Sequence, residues 1–395
     1  MILIIVLKKL LSKSSFIEKK VVNVSNIVSD NSTRIGKIYD VRVSLAEKIA
    51  VQWNDSNIKY AVVHGLENYP QKLGRDLDIV VYPDHAEEAI KLAVSVAKEN
   101  GFPKNLIRWS PWGLFQVSLF NEDNMEGLPI DLMSTTTVWQ AKWISMIDER
   151  DLERFSKGDG CLGPFRVSTE GTYYKACLRA LVCGDLRRFG TEIKFPIPIP
   201  EVVSQASLDT LMGGEGKKIM AVKTEGELKS LFPKSASKIQ MGWLRKNFIR
   251  GLFNAAKGLV RKLRLHILTP SDVIVVEVND ASLAERMSKE LVIPFKKCFV
   301  DLRPYVCKGA LEIFWKTAFV YRRPPVSEFM VHLVIVQKNI AVKNHIVTIN
   351  NNLSSRISCN ATIKLHIGDN LVADKAILKE CILEFLVAKY SRYID

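Results

Sequence analysis

The chain has 395 residues, too many for one ordinary core and suited to two or three domains. Its 47% hydrophobic and 25% charged residues exclude a disordered protein, and seven cysteines, odd in number and never spaced C-x-x-C, exclude a disulfide frame or zinc ribbon and read as reduced core residues. A net charge of +14, from 56 basic and 42 acidic residues, suits phosphate-rich partners such as nucleotides, nucleic acid or an anionic membrane, although a solvated basic surface accounts for it equally well.

The N-terminal extension, residues 1–43, opens with MILIIVLKKLL. Seven apolar residues before the first lysine fall far short of the roughly 20 needed to cross a bilayer. The run has no basic residue ahead of it and no small-residue cleavage site, so it reads as a buried strand or helix edge of a cytoplasmic protein.

Residues 44–155 alternate helical and extended patterns. SLAEKIAVQW predicts a helix, YAVV a strand, LDIVVY a second strand, and DHAEEAIKLAVSVAKENG a helix capped by Asp84 and stopped by Gly101 and Pro103. Ala86, Ile90, Ala93 or Val94, and Ala97 share one face of that helix. LFQVSLF alternates Phe115, Val117 and Leu119 against Gln116 and Ser118, a strand with one buried face. LPIDLMS is a further short strand, and TVWQAKWISMIDERDLERF leads into helix. A small mixed sheet with helices, α/β in the α+β sense, is expected.

Residues 156–240 read as a helical connecting region: loop and helix through TYYKACLRALVCGDLRRFG, proline punctuation at FPIPIPE, and a glycine-rich break at LMGGEGKK. Residues 241–266 form a basic amphipathic helix, with seven basic and no acidic residues between Gly242 and His266. Leu244, Phe248, Leu252, Ala256, Leu259 and Leu263 make its apolar stripe. A linker helix packed on its neighbour, a membrane-surface helix on anionic lipid and a phosphate-binding face all fit. A second α/β pattern fills residues 267–395.

The chemistry concentrates in YAVVHGLENYPQKLGRDLDIVVYPD. Asp76 and Asp78, at i and i+2 of a strand, share a face while Leu77, Ile79 and Val81 share the other. Two such carboxylates repel one another and are costly to desolvate unless a divalent cation lies between them. Metal pairs held in this way, about 3.5 to 4 Å apart, clamp the attacking and leaving oxygens of an in-line phosphoryl displacement. Asp131, between Ile130 and Leu132, repeats the pattern and becomes a third ligand if its strand neighbours that of Asp78. Gly65, after the YAVV strand, lets a triphosphate approach the backbone.

HGLENYPQKLGRDLDIVV resembles the signature of the nucleotidyltransferase superfold, and more closely the nucleotidyltransferase-like proteins that accompany bacterial surface-polysaccharide genes, over roughly Ala50 to Asp131. The resemblance implies that Asp76 and Asp78 bind Mg²⁺ or Mn²⁺, that Asp131 completes the triad and helps activate the acceptor hydroxyl, and that Gly65 lies beneath the phosphates of an NTP. Where that family has a second small residue after the glycine, this chain has Leu66 and Glu67. A leucine side chain offers phosphate no donor.

ILTPSDVIVVEVNDASLAERMSKEL, VDLRPYV and ILEFLVAKY resemble the opening, middle and closing segments of a thymidylate-kinase-like, P-loop-kinase-like α/β domain. The stretch between Val276 and Met287 holds neither the glycines nor the lysine of G-x-x-x-x-G-K-[ST], so phosphorylation by this domain is not expected. Asp280 and Arg303 then serve structure.

His64, at a strand end, and Lys175 with Arg179, on a later helix, are candidates to meet phosphate, although a lone histidine there is more often structural and exposed charge is the commoner account of the two basic residues. Trp109, Trp112, Trp139 and Trp143 are candidates to stack a base or to fill core. Three functions follow as expectations. The first is a Mg²⁺-dependent nucleotidyltransferase moving a nucleoside monophosphate from NTP to a hydroxyl, in surface-polysaccharide biosynthesis. The second is a non-catalytic scaffold binding a nucleotide or a partner, and the third an RNA-modifying or toxin-type nucleotidyltransferase, less favoured, whose RNA binding would weaken steeply with salt.

Overall fold

The computed structural model describes residues 41–110, 114–135, 140–141, 144–145, 149–183, 272–298, 300–307, 329–337, 361–365 and 371–391, and scattered positions between 218 and 256. The N-terminal apolar run, FPIPIPE, LMGGEGKK and three of the tryptophans (Trp112, Trp139, Trp143) lie outside them, as do the side chains of Trp109 and Arg179. All the described residues belong to one compact unit, Tyr39–Asp395.

The two most apolar short runs of the N-terminal half, Tyr60–His64 (β1) and Leu77–Val81 (β2), pair antiparallel. Around them Lys104–Ser110 (β3), Leu114–Phe120 (β4), Gly127–Met133 (β5), Gly160–Leu162 (β8) and Phe165–Val167 (β9) complete a seven-stranded sheet in the order β3-β4-β5-β2-β1-β9-β8. The β2–β5 and β1–β9 pairs are parallel, the others antiparallel. Gln140–Ala141 (β6) and Ile144–Ser145 (β7) form a separate two-stranded hairpin, followed by helix α3, Glu149–Lys157.

Helices α1 (Val41–Asp55) and α2 (Ala86–Glu99) cover one face of the sheet. Their stripes, with Leu45, Ile49 and Trp53 from α1 and Ala89, Ile90 and Ala93 from α2, share a core with Leu77, Ile79, Val81, Val117, Leu119, Ile130 and Leu132. Each large side chain buried there contributes roughly 1.5–3 kcal/mol. The Trp53 indole N–H donates to the Ala89 carbonyl at 2.8 Å, tying the two helices together. Asp84 does not cap α2; it sits in a 3₁₀ turn, Pro83–His85, and the N-cap position falls to His85, whose side chain makes no cap bond. The C-terminal stop is as the sequence predicts: Gly101 turns left-handed at φ +83° and the Phe102 N–H closes on the Ala97 carbonyl at 2.9 Å.

The opposite face of β3 and β4 is not solvated. Gln116 and Ser118 are as buried as their apolar neighbours, because the C-terminal half of the chain sits against them. There Asp272–Val278 (β10), Val300–Cys307 (β11), Phe329–Gln337 (β12) and Ala361–Leu365 (β13) form an all-parallel sheet in the order β11-β12-β10-β13. Helices α5 (Ala281–Lys297) and α6 (Leu371–Tyr390) accompany it. FMVHLVIVQ has the near-continuous apolar run of a strand covered on both faces. Leu106, Phe120 and Met125 of the first sheet enter the core formed by Ile274, Val276, Met287, Leu291, Phe295, Val331 and Leu378. The Ser118 hydroxyl donates to the Cys298 carbonyl at 2.5 Å and the Cys298 thiol to the Met125 carbonyl at 3.3 Å. A Cβ on Gly127 would lie 2.9 Å from the Lys297 carbonyl, so the contact there is backbone to backbone.

Two elements of the first sheet differ from the sequence reading. KNLIRWS is a strand, β3, and the glycine-rich GCLGPFRV, expected as loop, is the β8–β9 hairpin. Among the cysteines whose surroundings are described, Cys298 and Cys307 are buried and free, while Cys161 is exposed rather than in the core. Among the described residues no helix is long and apolar enough to cross a membrane. The architecture is mixed α/β.

Candidate metal centre

Register across four adjacent strands sets the site. Gln116 of β4 lies opposite Asp131 of β5, Asp131 opposite Asp78 of β2, and Asp78 opposite His64 of β1. Asp76 belongs to the bend just before β2 rather than to the strand itself. Each of Asp76, Asp78 and Asp131 has a carboxylate oxygen within 4.8 Å of the others, and Asp78 and Asp131 are buried. The parallel pairing of β2 and β5 is what makes neighbours of residues 53 positions apart.

A fourth group enters from α4, Thr169–Cys183. Its first turn is held by side-chain caps: the Asp159 carboxylate accepts from the Thr169 and Glu170 N–H groups, both at 2.8 Å, and the Ser168 hydroxyl accepts from Gly171 at 3.0 Å. Gly171, where a Cβ would lie 3.1 Å from Val63, brings the helix against β1, and the Thr172 hydroxyl donates to the Val63 carbonyl at 3.0 Å. One turn on, the Lys175 ammonium donates to Asp78 Oδ2. The exposed-charge account of Lys175 is therefore wrong: it is 9% exposed and lies within the acid cluster.

One ammonium faces three carboxylates. Burial, then the charges of Asp78 and Asp76, push the Asp131 carboxyl well above its ordinary range against the pull of Lys175 and Gln116. Burial and Asp78 likewise raise Asp76. The Gln116 amide N–H donates to Asp131 Oδ1 at 3.5 Å, and its oxygen accepts from Arg108 at 2.5 Å. The Arg108 guanidinium in turn lies 5.1 Å above the Phe329 ring of β12. The polar row thus runs from the acids to the second sheet, a link the sequence did not disclose.

The connection between β1 and β2 shapes the other side. At Gly65 (φ +102°) a Cβ would lie 2.3 Å from the Asp76 carbonyl, so any side chain would displace the bend carrying Asp76. Gly74 closes the loop by donating its N–H to the Gly65 carbonyl at 2.8 Å, and Arg42 of α1 donates to the Gly74 carbonyl at 3.3 Å. Leu66 packs against the first core. The Gly65 N–H, the donor a phosphate would meet, bonds the Glu67 carboxylate at 2.8 Å, which also pairs with His64 at 2.5 Å. Burial opposes ionisation of Glu67, but the His64 and Gly65 hydrogen bonds prevail and hold its pKa at about 2. His64 and Gly65 are thus beside the acids but already engaged by an internal anion.

Three oxygen ligands with surplus negative charge fit a hard divalent cation such as Mg²⁺ or Mn²⁺. Asp76, Asp78 and Asp131 would hold it, and there it would neutralise charge developing on a phosphoryl group. Among the described residues the second sheet gathers no such group. The Asp280 carboxylate caps α5, accepting from Ser282 and Leu283 at 2.9 and 3.0 Å, and Arg303 pairs with Asp301 at 2.7 Å. The amides that open α5, where a phosphate loop would deliver its ligand, are satisfied internally. Comparison with protein-family models, curated proteins and solved structures finds no match for this chain.

Proposed function

We propose that the Asp76–Asp78–Asp131 cluster is the active site of a divalent-cation-dependent nucleotidyltransferase that moves a nucleoside monophosphate from an NTP to a hydroxyl acceptor. The single observation carrying this reading is the convergence of three carboxylates on one end of the β2–β5 pair, where burial and the neighbouring acids raise Asp76 and Asp131. The acceptor oxygen forms a bond to the α-phosphorus, the bond to the bridging oxygen breaks, and pyrophosphate leaves. Asp131 assists removal of the acceptor proton. Lys175 holds Asp78 in place and offsets part of the cluster's charge. A sugar or sugar phosphate is the acceptor that the sequence resemblance suggests, and the second sheet supports the site without phosphorylating anything.

A second reading, a nucleotide- or partner-binding scaffold without turnover, is favoured by one observation: Glu67 occupies the Gly65 N–H that a triphosphate needs. Turnover separates the two. Purified protein incubated with each α-³²P-labelled NTP, Mg²⁺ or Mn²⁺ and host lysate is expected to transfer label, and Asp78→Asn to transfer none. Absence of transfer by the wild type, with Mn²⁺ bound in an electron paramagnetic resonance titration, leaves the scaffold reading standing.

A further inference from the structure

The described positions of the 241–266 segment are helical and all face solvent. Met241, Phe248, Ile249, Leu252 and Phe253 are 49%, 67%, 84%, 63% and 60% exposed, with Arg245 and Ala256 exposed among them. At 3.6 residues per turn these positions fall on one side of a helix. A single exposed leucine is ordinary, whereas large apolar side chains on successive turns mark a binding surface.

The sequence around them identifies what it binds. The stretch Gly242–His266 holds seven basic residues and no acidic one. Lys246, Arg250, Lys257, Arg261 and Arg264 lie outside the described residues; in the sequence reading of 241–266 as one helix their spacing puts them within an arc of about 60° beside the apolar positions. We infer that this stretch lies along an anionic lipid surface, with Phe248, Ile249 and Leu252 at the boundary of headgroups and acyl chains and the basic stripe against lipid phosphates. That division into apolar and cationic arcs is what an interfacial helix needs. A single-stranded RNA does not account for Ile249 and Leu252, which offer no face for base stacking. A second copy is disfavoured because an isologous contact would bring two acid-free basic stripes toward each other.

Vesicle flotation of the full chain tests this, using phosphatidylcholine alone and a 70:30 mixture with phosphatidylglycerol. Wild type is expected to float with the anionic vesicles at least tenfold more strongly than with the neutral ones, and to lose binding as salt rises. Phe248→Ser/Ile249→Ser/Leu252→Ser, whose circular dichroism and melting should match wild type because these side chains are exposed, is expected to lose at least tenfold. Arg245→Glu/Lys246→Glu/Arg250→Glu reports on the charge independently and should fall similarly. Absence of wild-type binding to anionic vesicles overturns the inference, as does binding at the wild-type level by either variant. A dimer in light scattering that the serine variant dissolves, or RNA affinity exceeding that for anionic vesicles, overturns it in favour of the other partner. None of these outcomes depends on nucleotide transfer.

Discussion

The two sheets treat buried charge in opposite ways. In the second, the described charges are handled singly: Asp280 closes a helix end, Asp301 holds Arg303, Lys375 pairs with Glu290, and His332, buried in β12, is pushed down to about 4 by burial and stays neutral beside Tyr305. In the first, strand register brings Asp78 and Asp131 together, the bend before β2 adds Asp76, and Lys175 pairs with Asp78 while Arg75 and His64 act on Asp76. Local satisfaction is what folding requires; accumulated like charge costs stability and persists where something else uses it. The same contrast separates the Asp159 cap of α4 from the acids that Lys175 of the same helix meets, so it is a property of sites and not merely of domains.

The sharpest way to break the comparison is to remove one carboxylate from each sheet. Asp131→Asn should abolish nucleotide transfer, by roughly 10³-fold or more if several kcal/mol of charge stabilisation is lost. It should also raise the metal-free melting temperature at neutral pH. The sign follows from the raised pKa: the folded protein binds this proton more tightly than the unfolded chain, so stability falls as pH rises from the ordinary carboxyl range through the raised value. Replacing the charge removes that penalty. A variant that keeps transfer, or melts lower in the absence of metal, would show that the cluster is structural.

Metal binding sharpens the same point at smaller amplitude. Mn²⁺ at a hundredfold excess over its dissociation constant should stabilise the fold by about 2.7 kcal/mol. Because Asp76 and Asp131 are raised, protons compete with the ion, and the dissociation constant should fall as pH rises from about 5 to 8. Calorimetry at several pH values in two buffers checks both the trend and the proton release. A pH-independent constant would mean that Lys175 already neutralises the site.

What the sequence disclosed follows the same division. β1, β2 and β5 are short apolar runs with acids at fixed parity, and the pairing of Asp78 with Asp131 needed only one parallel register. β3 was missed because Leu106 enters one core and Ile107 the other, which erases the alternation by which a strand is recognised. The β8–β9 hairpin has three-residue strands in a glycine-rich stretch, and its place is set by β1, about 100 residues earlier. Lys175 reads as any helical lysine until its partner, 97 residues away, is known. Buried Gln116, a lone amide on a strand with Val117 and Leu119, carried a signal that was there to be read: an amide without solvent needs polar partners.

Glu67 tests whether the first sheet's loop is poised for phosphate or closed to it. Glu67→Ala frees the Gly65 N–H and should tighten NTP binding by about tenfold to a hundredfold, the worth of one hydrogen bond to a charged group. Its stability cost should be full above about pH 4.5 and shrink as pH falls from there to about 2, since the wild-type carboxylate is stabilised in the folded state down to about pH 2. Unchanged affinity would show that triphosphate does not reach this amide and would move the balance toward the scaffold reading.

The smallest effect belongs to the second sheet. Asp280→Ala removes a side chain that satisfies two orphan N–H groups of α5, and by the usual worth of an N-cap it should cost about 1 kcal/mol. Nucleotide transfer should be unaffected, because α5 meets the first sheet at its far end, through Lys297 and Cys298 against Gly127 and Ser118. The informative outcome is the other one. If transfer dropped while the melting temperature moved by only the expected amount, the amides that open α5 would have a ligand role that the carboxylate was filling, and the two sheets would differ less than their charges suggest.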